Sequence, residues 1–259
     1  MPWVAGENAR YNRGTSQADD NAMMIADILS QNGFSAMSAA AVLGNIQHEG
    51  IMNPWYWEGP YTPTQSEAEN WPVEEKQRMH GYGFFQYTPY DKYINPANSS
   101  LSGYAPHFRD LQGNASDGNA QVLFMLQDIM TSNWSTNQYG YYAPSFLDQS
   151  IAGFSKDISE FYGTSAEDFI AGIANGNTEE EQIENLTGVF ELQYEAPSEE
   201  PPDPDVPGDV GYRAKWSYWN RVYSAQYYYD LIKDAFPWEG QSSFKLFMYL
   251  KPWWKRRVL

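Results

Sequence analysis

An apolar helical pattern between Ser35 and Gly50 ends on a carboxylate that falls on its buried side. Ala39, Val42, Leu43 and Ile46 recur at helical spacing. Ser35 stands where an N-cap hydroxyl is wanted, and Gly50 occupies the C′ position. At about 100° per residue, Glu49 lies about 20° from Val42 and about 60° from Ile46 around the axis. Such a helix has to be covered by neighbours, and 259 residues suffice to do so in one or two domains without covalent staples. Burial and the negative end of the helix dipole both disfavour a charged carboxyl at this place. A carboxyl that keeps its proton near neutral pH suits general-acid chemistry, glycoside cleavage above all. The competing expectation is that Glu49 reaches solvent at the helix end or pairs with Lys or Arg.

Composition narrows the partners. With 16 Lys and Arg against 33 Asp and Glu, the formal charge is −17, which argues against nucleic acid and against anionic membrane surfaces. There is no cysteine, so disulfide scaffolds, Cys-ligated metals and thiol nucleophiles are excluded. The three histidines, His48, His80 and His107, show no zinc-ligand spacing, so neither metal nor cofactor is expected. No Gly-x-Ser-x-Gly elbow and no phosphate-binding loop occurs. Ten Trp and 20 Tyr are far too many for a disordered acidic chain; most should sit in a core and a few could line a groove. The first residues carry no apolar run of signal-peptide length, and no stretch approaches the roughly 18 apolar residues of a membrane helix. If the protein acts outside a cell, delivery by something other than a signal peptide is therefore expected, and no stable membrane insertion is expected.

The remaining pattern is mostly helical. Ser16 is expected to cap a helix that Gly33 stops, and Ser116 another that runs to about residue 132. Phe154, Ile158 and Phe161 suggest a short amphipathic piece, and Ser165 with Asp168 a brief helix. Thr178 and Glu181 form a capping box for a helix through about Tyr194. A long last helix spans about 213–233, with Trp216, Trp219, Tyr223 and Tyr227 at helical spacing. Between these lie a Pro- and Trp-rich loop over 51–80, a short strand or hairpin over 81–88 and a segment with five prolines over 197–207. Charge is segregated: residues 178–209 hold 11 acidic and no basic side chains, whereas 241–259 hold five basic and no acidic ones. The first block reads as a solvated face and loop. The second is apolar as well as basic and should dock on this chain or on a partner.

Two stretches carry a family resemblance. Gly44-Asn45-Ile46-Gln47-His48-Glu49 with Asn53-Pro54, followed by Gly81-Tyr82-Gly83-Phe84-Phe85-Gln86-Tyr87-Thr88, resembles the phage tail lysozyme family. Weaker matches are Gln121 to Asp128, Phe190 to Pro197, and Arg221-x-x-x-Ala225-x-x-Tyr228, so the resemblance spans about 17–230. It is nearest to the lysozyme domains of tail-knob proteins in small podophages. It implies a mainly α (α+β), lysozyme-like fold with a small β hairpin. The chain then divides into an N-terminal arm (1–16), a lysozyme-like catalytic domain (17–233) and a basic aromatic docking tail (234–259). The resemblance also implies cleavage of the peptidoglycan glycan strand by a virion-borne hydrolase during phage entry, with Glu49 as catalytic acid.

Gln86 and Tyr87 match the family's hairpin residues beside the groove, where Tyr87 and Phe84 replace a Trp and a Leu. Tyr82 and Trp57 are further groove candidates, because flat aromatic rings stack on sugar faces. A two-carboxylate glycosidase needs a second acid, for which Glu58 and Asp91 stand nearest the motifs, ahead of Glu67 and Glu69. A lytic transglycosylase with the same acid would need none. A non-catalytic structural or glycan-binding tail protein on a lysozyme fold is the rival from another class. Other tail proteins, reached through residues 241–259, are the expected partners besides the glycan.

Overall fold

The computed structural model describes residues 3–4, 14–56, 81, 83–86, 118–131, 134, 161, 163–195 and 212–238. Six α-helices are present among them: α1 (Ser16–Gln31), α2 (Ala36–Glu49), α3 (Gly118–Thr131), α4 (Ala166–Ala171), α5 (Glu179–Phe190) and α6 (Tyr212–Ile232). A π-helical turn, Glu191–Glu195, extends α5 to the end expected from sequence. The fold is mainly α. Where a strand or hairpin was expected over 81–88, Gly81 is irregular and Gly83–Gln86 form a turn, and Tyr82, Tyr87 and Thr88 lie outside the described residues.

Local chemistry accounts for the helix starts. The Ser35 hydroxyl accepts the Ser38 N–H at 3.1 Å, and Ser165 does the same for Asp168 at 3.0 Å. Thr178 accepts from Glu181 N at 3.2 Å, and Glu181 in return accepts from the backbone N–H of Asn177 at 2.6 Å. Thr15, one residue ahead of the expected Ser16, caps α1 through a 3.3 Å bond from Ala18 N.

Helix α2 is the hub. Its pattern suggests one buried stripe, yet every residue from Ser38 to Gln47 is buried. Helices α1, α4, α5 and α6 all pack on it, α6 most extensively. Small residues allow this. An added Cβ on Gly44 would stand 2.8 Å from both Cβ and N of Ala225 on α6. The polar residues so enclosed are paired, as burial requires. Asn45 donates to Ala41 O at 2.9 Å and Thr187 O at 3.3 Å, and Gln47 accepts from the Tyr228 hydroxyl. Aromatic rings fill the space toward α4 and α5: Trp134 lies against Phe169, Phe169 against Phe190, and Phe190 against Tyr194. Beyond α6, Phe236 and Trp238 fold back on the core, and Trp238 Nε1 donates to Ile232 O at 3.0 Å.

Candidate active site

Glu49 closes the last turn of α2 and keeps 22% of its side chain exposed at the rim of the core. The helix ends there for a reason other than the one its sequence suggests. Gly50 is not left-handed (φ −105°). It is glycine because a Cβ would stand 2.5–2.7 Å from Phe84 O, Gly83 O and Phe84 Cα. The left-handed residues are the next two, Ile51 (φ 49°) and Met52 (φ 55°). A non-glycine residue in that region costs about 1–2 kcal/mol, and more is expected for a β-branched one. Gln86 (φ 46°) is the third such residue in the described set. Backbone strain concentrates where function needs a fixed geometry. Here it falls on the two segments that meet at the end of α2.

Those segments are tied from three sides. Gln121 on α3 accepts from Phe84 N at 2.9 Å and donates to Pro54 O at 2.6 Å. Gly83 is left-handed (φ 77°) and lies so close to the Gln121 amide that a side chain would not fit. Gly83 N donates to Tyr56 O at 2.8 Å. Asn21 on α1 donates to Met52 O at 2.7 Å and to Val4 O at 2.6 Å. Trp3 packs edge-on to Phe84, with centroids 5.3 Å apart.

Glu49 is held from the far end of the chain. Arg221 on α6 donates through Nη2 to Glu49 Oε1 and through Nη1 to Asn45 Oδ1 at 2.9 Å. Its Nε donates to Glu191 Oε1 at 3.0 Å. The Arg221 side chain is 1% exposed and that of Glu191 5%. One guanidinium thus serves two carboxylates and an amide. The pairing matches the alternative sequence expectation for Glu49, a carboxylate held by Arg, but the partner is shared. Sequence reasoning did not give Arg221 or Glu191 a role. A signal for Arg221 exists: it lies on the same helical stripe as Tyr218, Ala225 and Tyr228, about 20° from the last.

The other expected site residues divide. Gln86 is placed beside the loop that follows Glu49, and its Nε2 donates to Gly83 O at 2.8 Å and Tyr56 O at 3.3 Å. Tyr82, Tyr87, Trp57, Glu58 and Asp91 lie outside the described residues, as do Glu67 and Glu69. Trp55, two residues before Trp57, is 7% exposed, belongs to the hydrophobic core and anchors the start of that loop. His48 is half-buried beside Glu49. Among the described residues no helix is long and apolar enough to cross a membrane.

A comparison with known families bears on this arrangement. The family model for phage tail lysozyme matches residues 20–232, which takes in α1 at one end and α6 with Arg221 at the other. A lysozyme-like action on peptidoglycan goes with that family, as does association with the phage tail. The match covers well over half of the 259 residues, and the chain therefore belongs to the phage tail lysozyme family.

Proposed function

We propose that the protein is a virion-borne muramidase that cuts the peptidoglycan glycan strand during phage entry, with Glu49 as general acid. The observation that carries this reading is one carboxylate that remains partly exposed at the end of a helix whose residues from Ser38 to Gln47 are all buried. In the reaction Glu49 gives its proton to the glycosidic oxygen, the C–O bond breaks, and the leaving sugar departs as an alcohol. A water molecule then supplies the new oxygen at the anomeric carbon. Gln86, Tyr87, Tyr82 and Trp57 are the proposed sugar contacts, with Glu58 or Asp91 as the second carboxylate. No cofactor takes part.

The charge of −17 supports delivery on a particle. Bacterial walls are often anionic and would repel a free protein of this charge, whereas a tethered enzyme does not rely on electrostatic capture. Residues 241–259 are the proposed tether to other tail proteins.

The test is mass spectrometry of muropeptides released from purified peptidoglycan by wild type and by Glu49→Gln. Reducing-end muramic acid from wild type alone is the expected result. Anhydromuramic ends would make the enzyme a lytic transglycosylase with the same acid. No release by the wild-type protein from walls of several bacteria would overturn the catalytic reading.

A further inference from the structure

Trp3 and Val4 belong to the stretch expected to be an N-terminal arm, yet they are fastened to the segments that meet at the end of α2. The Trp3 ring packs edge-on to Phe84, with centroids 5.3 Å apart. It also covers Gly118, the first residue of α3, where an added Cβ would stand 2.5–2.8 Å from three indole atoms. Phe84 carries this contact to the site. Its ring is fully buried, its backbone lies against Gly50, and Gln86 follows two residues on.

Val4 acts through its main chain. Its N–H donates to Asn21 Oδ1 at 3.0 Å, and its C=O accepts from Asn21 Nδ2 at 2.6 Å. Nδ2 also donates to Met52 O at 2.7 Å. Asn21 is fully buried, and Met52 is one of the two left-handed residues that follow Glu49 and Gly50. An amide turned end for end would set Oδ1 against two carbonyl oxygens. The Val4 N–H holds Oδ1 in place and so fixes the orientation in which Asn21 can grip Met52. Left-handed Ile51, Met52 and Gln86 keep their conformations only where the surroundings over-determine them. The strap adds one hold to each strained segment, a ring on Phe84 and an amide on Met52.

We propose that Trp3 and Val4 form a strap that sets the geometry of the catalytic end, which rests on the reading of Glu49 as the acid and Gln86 as a sugar contact. Trp3 is a positioning residue for the turn that bears Gln86, and Asn21 for the backbone after Glu49. A misplacement of about 1 Å in such a site can cost about 100-fold in rate.

Trp3→Ala is the first test, because Trp3 is only half-buried and its loss leaves the helical core in place. Measured well below the melting temperature, KM for glycan chains should rise about tenfold while kcat stays within about threefold. Trp3→Phe, which keeps a ring on Phe84, should bring KM back to within about threefold of wild type. Gly118→Val leaves Trp3 in the chain but takes its seat, and should raise KM as Trp3→Ala does. Joined to Trp3→Ala it should add little, because its effect runs through the indole. A merely structural role would lower the melting temperature and leave KM of the folded enzyme unchanged.

Amide hydrogen exchange reads the strap without catalysis. Gly83 N–H and Phe84 N–H are bonded to Tyr56 O and Gln121 Oε1. In Trp3→Ala both should exchange about tenfold faster, while the amides of α2 keep their wild-type rates. Unchanged exchange, or an unmoved KM, in Trp3→Ala overturns the strap and leaves the general-acid reading standing. No cleavage by wild type, or full activity in Glu49→Gln, overturns that reading and the positioning role with it.

Discussion

Glu49 and Arg221 stand 172 residues apart in the chain and form an ion pair at the C-terminal end of α2. The contact joins the two motif-bearing helices at the place where the backbone of α2 gives way to left-handed residues. It also makes Arg221 the structural centre of the site, since Asn45 and Glu191 bind the same guanidinium.

Arg221→Met should therefore be among the most destabilising single changes in the protein. It keeps an apolar stem of similar length but leaves Glu49 and Glu191 without the cation they share. Breaking a buried ion pair from one side costs about 3–5 kcal/mol. Urea unfolding at neutral pH should show that loss. Arg221→Lys retains the charge but cannot serve three acceptors at once, and should fall in between. A loss under about 1 kcal/mol for Arg221→Met would show that the cluster is not holding α2 and α6 together.

Gly44→Ala separates local propensity from packing. In an isolated helix the change is favourable by about 1 kcal/mol. Here the new methyl would stand 2.8 Å from Ala225 Cβ and N, so α6 has to move away from α2. Net destabilisation of about 1–3 kcal/mol is expected, with reduced cleavage because Arg221 rides on the displaced helix. An increase in melting temperature with unchanged activity would contradict the close packing.

Gln121→Met tests the clamp between the loop and the turn. It leaves Phe84 N–H and Pro54 C=O without their amide partner, at about 1–3 kcal/mol for each buried group left unsatisfied. The segment holding Gln86 should loosen. We expect a higher KM for glycan chains, measured beside the unfolding free energy, and a fold that persists because the aromatic core is untouched.

Alkaline stability should depend on tyrosines. Burial, reinforced by Glu184 and Glu191, pushes the Tyr218 phenol well above its ordinary value of 10.0. Burial and the bond to Glu179 push Tyr229 up to about 12. Both groups are raised in the fold, so the stability they contribute is fully present below pH 10.0 and is lost as pH rises through the folded values. Urea midpoints should fall steadily between pH 10.0 and about 12. In Tyr218→Phe the fall should be shallower, although the variant starts lower by about 1 kcal/mol for the lost bond to Glu184. Equal slopes for both proteins would exclude Tyr218 as a cause.

The sequence by itself determined the parts of this protein that are local. Ser35, Ser165 and Thr178 announce helix starts because a cap hydroxyl acts within three residues. The helices 36–49 and 213–233 were legible because their apolar spacing repeats over several turns. Glu49 stood out because a carboxylate on such a stripe needs an explanation. The tertiary structure decided what depends on distant chain. It buried α2 on every side from Ser38 to Gln47, because four other helices converge on a segment rich in Ala, with Gly44 at the closest approach. It turned Gly50 from a left-handed stop into a point of close approach for Gly83 and Phe84. It sent Trp55 into the core. Above all it brought Arg221 and Glu191 to Glu49. An isolated basic residue on one apolar stripe and an acid in a π turn carry no sign of their partner, since ion pairing is set by distance in space and sequence spacing sets only the face of a helix.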